Sequence, residues 1–192
     1  MLTVHIDFKS PAAWLAIRPT LALAEKHDVP IAWKPFPTFE RPMPDLPEKA
    51  SVGETHRKVR AESRRRIFRK YAALQGLELN FPEVPKGTDL ALGALELISG
   101  DRTAYVEAAF KAYWQDQADL NDPETVTSLI THSVAEPFAA EQSACAEALA
   151  SATESAEADG IVDAPAYQIA DQMFIGREHL PWISEIIASA DQ

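Results

Sequence analysis

The chain has 192 residues, of which 46% are hydrophobic and 24% are charged. These values are typical of one globular domain, or of one domain with a large insertion, that buries a core without disulfides or metal ions. The formal net charge of −11 argues against general nucleic-acid binding, because attraction to phosphates needs a basic surface. We therefore expect small, neutral or locally steered ligands and no nucleic-acid partner.

Cysteine content and hydropathy narrow the class of protein further. Cys145 is the only cysteine, which excludes a disulfide within the chain, a CxxC redox pair and a cysteine-based zinc site. The five histidines are scattered without the spacing of a helical metal site, so no metal site is predicted. The N-terminal residues do not have the pattern of a signal peptide, and no apolar run approaches the roughly 20 residues that span a membrane. We expect a cytoplasmic protein that has no membrane partner.

The first 50 residues have the pattern of a β-α-β unit followed by a loop. Alternating apolar residues predict a strand at Leu2–Phe8 and a second strand at Val29–Trp33. Between them, helical spacing predicts a helix at Pro11–Lys26 that is kinked or interrupted at Pro19. A crossover of this length normally makes the two strands parallel. Four prolines predict an extended loop at Phe36–Ala50.

Helical patterns then dominate residues 51–158. Asp122 and Pro123 provide a strong helix start, as the cap and the first helical residue. In the first of these helices we expect Val59, Ile67, Phe68 and Tyr71 to pack on the core. The predicted helices are Thr55–Leu74, Thr88–Ser99, Asp101–Gln115, Pro123–His132 and Glu136–Ala158.

Strand patterns return near the C-terminus. We predict strands at Ala164–Ala170 and Met173–Ile175 around a turn at Asp171-Gln172, and then a helix at Leu180–Ala190. The element order is β-α-β, a helical block, then β-β-α, which is the arrangement of an α/β thioredoxin-like fold with an all-helical insertion. Residues 1–50 and 159–192 are predicted to form the thioredoxin-like domain, and residues 51–158 the insertion.

Ser10 lies between the predicted first strand and the predicted first helix. Serine followed by Pro11 is an ordinary helix start, so Ser10 has a structural interpretation as the N-cap. Ligands of open α/β sheets, however, bind beyond the carboxyl ends of strands, and a helix N-terminus favours negative charge. Thioredoxin-like redox proteins carry their CxxC motif here. The sequence Ser10-Pro11-Ala12-Ala13 contains no thiol, but its position suits a thiolate that a ligand brings.

A second feature is the Ala164-Pro165 pair at the start of the third strand. Proline is poorly tolerated inside a strand, and an X-Pro bond can be cis. We predict a cis bond here that faces the start of the first helix, with a trans bond on an edge strand as the alternative.

Four stretches of the sequence resemble one known family. They are residues 7–16 (DFKSPAAWLA), 33–36 (WKPF), 160–165 (GIVDAP) and 173–182 (MFIGREHLPW). Together they resemble the 2-hydroxychromene-2-carboxylate isomerases, which are glutathione-dependent relatives of kappa-class glutathione transferases and DsbA-type oxidoreductases. The resemblance lies at both ends of the chain, and the order of predicted elements agrees with it throughout.

The resemblance implies a glutathione site. Ser10 would donate its hydroxyl hydrogen to the glutathione sulfur, and the backbone of Ala164, next to Pro165, would pair with the cysteinyl backbone. Glu178 would bind the γ-glutamyl amino group, with Arg177 and His179 beside it. The sequence departs from the family pattern in having Glu178 for Asp, His179 for Arg, Asp163 for Gly and Pro37-Thr38 for Leu-Gly.

The resemblance also implies a substrate and a reaction. The substrate would be a small aromatic carboxylate, with Lys34 near its carboxylate. Apart from the resemblance, we expect Trp14 in the core or, since it lies one helical turn after Ser10, at the border of the substrate pocket. The reaction would be a glutathione-dependent isomerisation by reversible thiolate addition, in a protein that could be a homodimer. Two alternatives are a kappa-like glutathione transferase and a catalytically silent thioredoxin-like binding protein. Disulfide exchange is excluded, because the motif has no cysteine.

The predicted helix at residues 55–74 carries eight of the eighteen basic residues of the chain. Three interpretations are open. The helix can present a solvated basic face, it can steer an anionic substrate or glutathione toward the site, or it can bind nucleic acid.

Overall fold

The computed structural model describes residues 1–40, 42–45 and 47–190. Four strands form one sheet, namely β1 (Leu2–Ile6), β2 (Ile31–Pro35), β3 (Ala166–Ile169) and β4 (Gln172–Ile175). A short 3-10 turn, Arg177–His179, precedes the last helix. The helices are α1 (Pro11–His27), α2 (Val52–Leu74), α3 (Asp89–Leu97), α4 (Thr103–Trp114), α5 (Pro123–Ser133), α6 (Gln142–Ala158) and α7 (Leu180–Ala190).

The sheet confirms the predicted α/β thioredoxin-like fold. Its strand order is β2-β1-β3-β4, with β1 parallel to β2 and antiparallel to β3. β3 and β4 form the predicted antiparallel hairpin. Because β1 is central, its C-terminal end lies between β2 and β3, and the segment that follows it can contact both.

Strand ends differ from the predicted ones by a few residues. β1 ends at Ile6, because the N–H of Ser10 donates to Asp7 O at 3.0 Å and turns the chain into α1. In the hairpin, Gln172 already pairs with Ile169, so the turn is Ala170-Asp171 and not Asp171-Gln172. The turn places Ala170 in the left-handed region, with a φ of 53°.

Two helices also start elsewhere than predicted. α2 begins at Val52, because the Ser51 side chain and the Glu54 side chain form a capping box. α6 begins at Gln142, six residues after the predicted start at Glu136. Glu136 precedes Pro137, and a residue before proline is disfavoured in the helical region, so helical composition does not extend the helix back to that point.

Aromatic side chains join the sheet to the helical segment. Phe8, which follows β1, makes edge-on contacts with Phe110 at 5.1 Å and Tyr105 at 6.0 Å between ring centroids. The indole of Trp14 stacks on Phe110 at 5.4 Å, and the indole N–H of Trp114 donates to Phe8 O at 2.9 Å. One continuous core therefore includes residues from both parts of the chain. The domain boundaries at residues 50 and 158 stay a prediction.

The expected core face of α2 is wrong for three of its four residues. Val59, Ile67 and Tyr71 are exposed, whereas Phe68 is half-buried and packs against the core as predicted. Ala72 is the only buried residue among the described residues of this helix. α2 meets the body of the protein near its C-terminal end, where the side-chain amide of Gln75 donates to Leu15 O at 3.1 Å. None of the described helices combines the length and hydropathy needed to cross a membrane.

Gly93 marks the closest approach of α3 and α6. The three atoms nearest to a Cβ built at Gly93 are all backbone atoms of Cys145, and they would overlap with it. We predict that Gly93→Ala lowers the free energy of unfolding by about 1–3 kcal/mol, because an added methyl group forces the helices apart. Chemical denaturation followed by circular dichroism measures this change.

Gly53→Ala is the matched control for this substitution. Gly53 lies in α2, and the nearest atom to its built Cβ is Ser51 Oγ at 4.0 Å. Alanine favours a helix over glycine by up to about 1 kcal/mol, so this variant should be as stable as the wild type or more stable. Equal destabilisation by both substitutions would contradict the close packing at Gly93.

His5 makes the stability of the fold depend on pH. It is buried in β1, with its Nε2 3.0 Å from Gln168 Oε1 and its Nδ1 without a partner in the described part of the chain. Burial lowers the pKa of His5 below its usual 6.5. The unfolded chain therefore binds the proton more readily than the folded chain once the pH falls below about 6.5.

We predict that the free energy of unfolding decreases as the pH falls from 7.5 to 5. His5→Asn should make this decrease shallower, because it removes the titrating group, whereas substitution of the exposed His132 by Asn should not change the slope. Urea denaturation across this pH range tests the prediction. An unchanged slope in His5→Asn would show that another group carries the dependence.

Candidate active site

Ser10 forms the cap of α1, as its sequence pattern predicts. Its Oγ accepts a hydrogen bond from the N–H of Ala13 at 3.3 Å, and its carbonyl accepts from Trp14 at 3.0 Å. Pro11 has no N–H, and the N–H of Ala12 has no acceptor among the described residues. The start of α1 therefore presents one free backbone donor beside the Ser10 hydroxyl, at the positive end of the helix dipole.

The Ala164-Pro165 peptide bond is cis, which confirms the prediction, and it lies against Ser10. The Ser10 hydroxyl donates to Ala164 O at 3.1 Å. The N–H of Ala164 donates to Oδ1 of Asp163 at 2.8 Å. Both backbone polar groups of Ala164 thus have partners within the protein. A ligand that pairs with the Ala164 N–H must displace the Asp163 carboxylate, and the Ser10 hydroxyl must rotate away from Ala164 to donate to a ligand atom.

A buried carboxylate, Asp7, organises the segments around Ser10. Its Oδ1 accepts from the Lys9 N–H at 3.1 Å and from the Thr88 hydroxyl at 2.7 Å. Its Oδ2 accepts from the N–H and hydroxyl of Thr38, at 2.6 and 2.9 Å, and pairs with the Lys9 ammonium at 2.7 Å. Asp7 therefore joins the end of β1, the loop after β2 and the residue before α3. Sequence patterns cannot reveal the Thr88 contact, because it is 81 residues away.

A cavity of about 810 Å³ opens beside Ser10. Its floor includes the start of α1 and the Asp163-Ala164 segment, and its walls come from the loop after β2 and from α2. Much of the lining is apolar or aromatic, including Phe36, Phe68 and Phe81. The cavity can therefore hold a ligand with an apolar body next to the Ser10 hydroxyl.

Basic and acidic side chains both line the cavity. α2 contributes Arg57, Arg60, Arg64 and Arg65, so the basic helix of the sequence borders the site. Glu40, in the loop after β2, also lines it and is partly buried. Burial raises the pKa of the Glu40 carboxyl, and the charge of Arg64 opposes that rise. Sequence reasoning missed Glu40, because a single acidic residue in a proline-rich loop has no distinguishing pattern.

The predicted cofactor residues Arg177, Glu178 and His179 lie close to Pro165 but do not line this cavity. The N–H of Gly176 donates to Pro165 O at 2.8 Å, so the turn at Arg177–His179 starts next to the cis-proline. Gly176 has a φ of 94°, which favours glycine. The carboxylate of Glu178 occupies the position that a β-carbon at Gly176 would take.

The neighbours of Arg177 and His179 are aromatic. The Arg177 guanidinium lies over the ring of Tyr71, 4.6 Å from its centroid. The His179 ring is 5.7 Å from the rings of both Phe174 and Trp182. These contacts link the turn to α2 and α7, and the glutathione-binding roles of Arg177, Glu178 and His179 stay predictions.

Lys34 and Trp14 do not line the cavity. The Lys34 ammonium pairs with Glu96 at 2.7 Å, and Glu96 also binds Arg102 at 3.0 Å. Trp14 is buried in the core, and its indole N–H donates to Glu78 O at 3.3 Å. The structure thus engages Lys34 in an ion pair and Trp14 in the core, and their contacts with a substrate stay predictions.

The fold and this site together define a thioredoxin-like protein with Ser10 in the position of a redox cysteine. Residues 1–188 match the model of the DSBA-like thioredoxin domain family, and the chain therefore belongs to this family. This membership confirms the superfamily that the sequence resemblance indicates. A comparison with curated protein sequences finds no match.

Solved structures of the same fold include both isomerases and disulfide enzymes. A 2-hydroxychromene-2-carboxylate isomerase is 19% identical with a TM-score of 0.72, over 98% of this chain and 95% of that one. A probable DsbA oxidoreductase from Streptomyces coelicolor is 18% identical with a TM-score of 0.71, over 98% and 88%. The cytosolic disulfide reductase DsbM from Pseudomonas aeruginosa, solved with GSH, is 15% identical with a TM-score of 0.59, over 99% and 96%. At these identities the likeness shows the fold alone.

We predict that Asp7→Asn lowers the free energy of unfolding by about 3 kcal/mol, because it leaves the half-buried Lys9 ammonium without its counter-ion and puts an amide where a buried carboxylate accepts four hydrogen bonds. Chemical denaturation measures the loss. Asp122→Asn is the matched control, since Asp122 accepts from the N–H and hydroxyl of Thr125 at the start of α5 and asparagine caps a helix as well as aspartate does. Similar losses in both variants would show that Asp7 has no special role.

Proposed function

We propose that this protein is a glutathione-dependent isomerase of the 2-hydroxychromene-2-carboxylate type, which acts on small aromatic keto carboxylates. The observation that carries the proposal is the start of α1, where the Ser10 hydroxyl and the free N–H of Ala12 lie beside the cavity and the cis Ala164-Pro165 bond. The structural likeness to an isomerase of this type supports it.

The residues at this site suit glutathione. The Ser10 hydroxyl and the Ala12 N–H are donors for a sulfur anion, and the cavity beside them has room for the tripeptide. Ala164 would hold the cysteinyl backbone after the Asp163 carboxylate moves off its N–H. Glu178 would hold the γ-glutamyl amino group, with Arg177 and His179 beside it. Bound glutathione supplies a thiolate that adds reversibly to the conjugated keto acid, which allows rotation about the former double bond.

The protein stabilises negative charge on the sulfur. A hydrogen bond from Ser10 to a charged acceptor is stronger than one to a neutral acceptor. The helix dipole favours an anion at the same place. Both effects lower the pKa of a bound thiol, so more of the bound glutathione is ionised near neutral pH.

Disulfide exchange is not part of the proposal, although members of this fold catalyse it. The four residues at the start of α1 include no cysteine, and Cys145 is fully buried in α6. Burial raises the pKa of the Cys145 thiol, which makes it a poor nucleophile.

A second candidate function is a catalytically silent binding protein. The hydrogen bond between Asp163 and the Ala164 N–H favours it, because this carboxylate occupies the donor that glutathione would use. Calorimetry with glutathione distinguishes the two functions, since the silent protein should release no heat. Product analysis then separates an isomerase, which returns the thiol, from a kappa-like transferase, which forms a stable S-conjugate.

We predict that Ser10→Ala reduces isomerase turnover on 2-hydroxychromene-2-carboxylate at least tenfold and raises the pKa of the bound thiol. The removed hydroxyl donates to the thiolate in our proposal, whereas the cap contributes only about 1 kcal/mol to stability. Ser51→Ala removes the equivalent cap of α2 and serves as control, because Ser51 does not line the cavity. Turnover by Ser10→Ala equal to that of Ser51→Ala would leave Ser10 with a capping role only.

A further inference from the structure

Three arginines of α2 lie in a row along the cavity. Arg57, Arg60 and Arg64 follow each other at intervals of three and four residues, which places them on one face of the helix. All three line the cavity and remain exposed to solvent. We call these three residues the arginine stripe.

No carboxylate of the described residues forms an ion pair with the arginine stripe. Among the described residues, the basic side chains that form ion pairs are Lys9, Lys34 and Arg102. Arg65, which also lines the cavity, lies over the ring of Phe81 at 4.9 Å. The stripe therefore keeps its hydrogen-bond donors available, in a chain whose formal net charge is −11.

The arginine stripe is too long for one carboxylate to contact all three guanidinium groups. Arg64 follows Arg57 by seven positions, which is about 10 Å along the helix axis. One carboxylate is matched by one guanidinium in the bidentate geometry. Like charges three and four residues apart destabilise a helix. Glu54 and Glu40 offset part of this repulsion, since their carboxylates interact electrostatically with Arg57 and Arg64. A bound anion would offset more of it.

We propose that the substrate of this site is a dianion, with an unsaturated or aromatic body and two anionic groups that bind to Arg57, Arg60 and Arg64. Phe36 lines the same cavity and supplies apolar contact for the body, as does the part of the Phe68 ring that is not covered by the Arg64 guanidinium, which lies 5.9 Å from the ring centroid. This inference rests on the proposed function and narrows it, because 2-hydroxychromene-2-carboxylate carries one carboxylate and the substrate we infer carries a second anionic group. A nucleic acid is disfavoured, since the stripe faces a cavity and the rest of the chain is acidic.

Calorimetry with small aromatic acids tests the inference. Phthalate, isophthalate and terephthalate present two carboxylates at different separations, and benzoate presents one. At least one dicarboxylate should bind the wild type ten times more tightly than benzoate, and its affinity should fall as salt is added. Arg60→Gln/Arg64→Gln should lose at least a factor of ten for that dicarboxylate. Each titration is run with and without glutathione.

Arg66→Gln is the matched control, because Arg66 lies on the same helix but does not line the cavity. Its dicarboxylate affinity should stay within twofold of the wild type. Equal binding of all four acids, or an equal loss in Arg66→Gln, would overturn the inference. Loss of glutathione binding in the double variant, without a dicarboxylate preference, would overturn it too and assign the stripe to glutathione. Glutathione that fails to bind the wild type, while a dicarboxylate binds, would instead remove the proposed function and keep the anion site.

Discussion

The buried carboxylate of Asp7 is the interaction on which the candidate site depends. Desolvating a carboxylate is costly, and Asp7 is stable in the core because four hydrogen bonds and the Lys9 ammonium compensate for the lost water. Its donors belong to three segments that are distant in sequence. The same contacts that satisfy the charge therefore also hold the loop after β2 and the residue before α3 next to the start of α1.

The resulting site has two features that attract anions. The start of α1 attracts an anion through its dipole and free N–H, and the arginine stripe adds three exposed guanidinium groups to the lining of the same cavity. When no ligand is bound, the Asp163 carboxylate accepts the hydrogen bond of the Ala164 N–H. A ligand that binds there replaces an internal hydrogen bond, and only the difference between the two bonds contributes to its affinity.

Local signals predicted the elements that local interactions form. Serine before proline marked the cap of α1, alternating apolar residues marked β1, and the order of elements indicated the thioredoxin-like fold. Predictions were wrong where a local pattern competed with packing. α2 has apolar residues at helical spacing, yet most of them are exposed, because this helix borders a cavity and does not cover the sheet. No local pattern reveals the ion pair of Lys34 either, because its partner Glu96 belongs to another segment.

The sequence by itself determined the fold class, the cap at Ser10 and the absence of a thiol at the helix start, because each depends on neighbouring residues or on a repeated pattern. For Ala164-Pro165 it left a cis and a trans bond open, and the structure has the cis bond. Only the tertiary structure decided which side chains meet. It placed Thr38 and Thr88 on Asp7, turned part of the basic helix toward Ser10 and kept Lys34 and Trp14 out of the cavity. These contacts join residues that are far apart along the chain, and their partners are selected by the packing of the whole core.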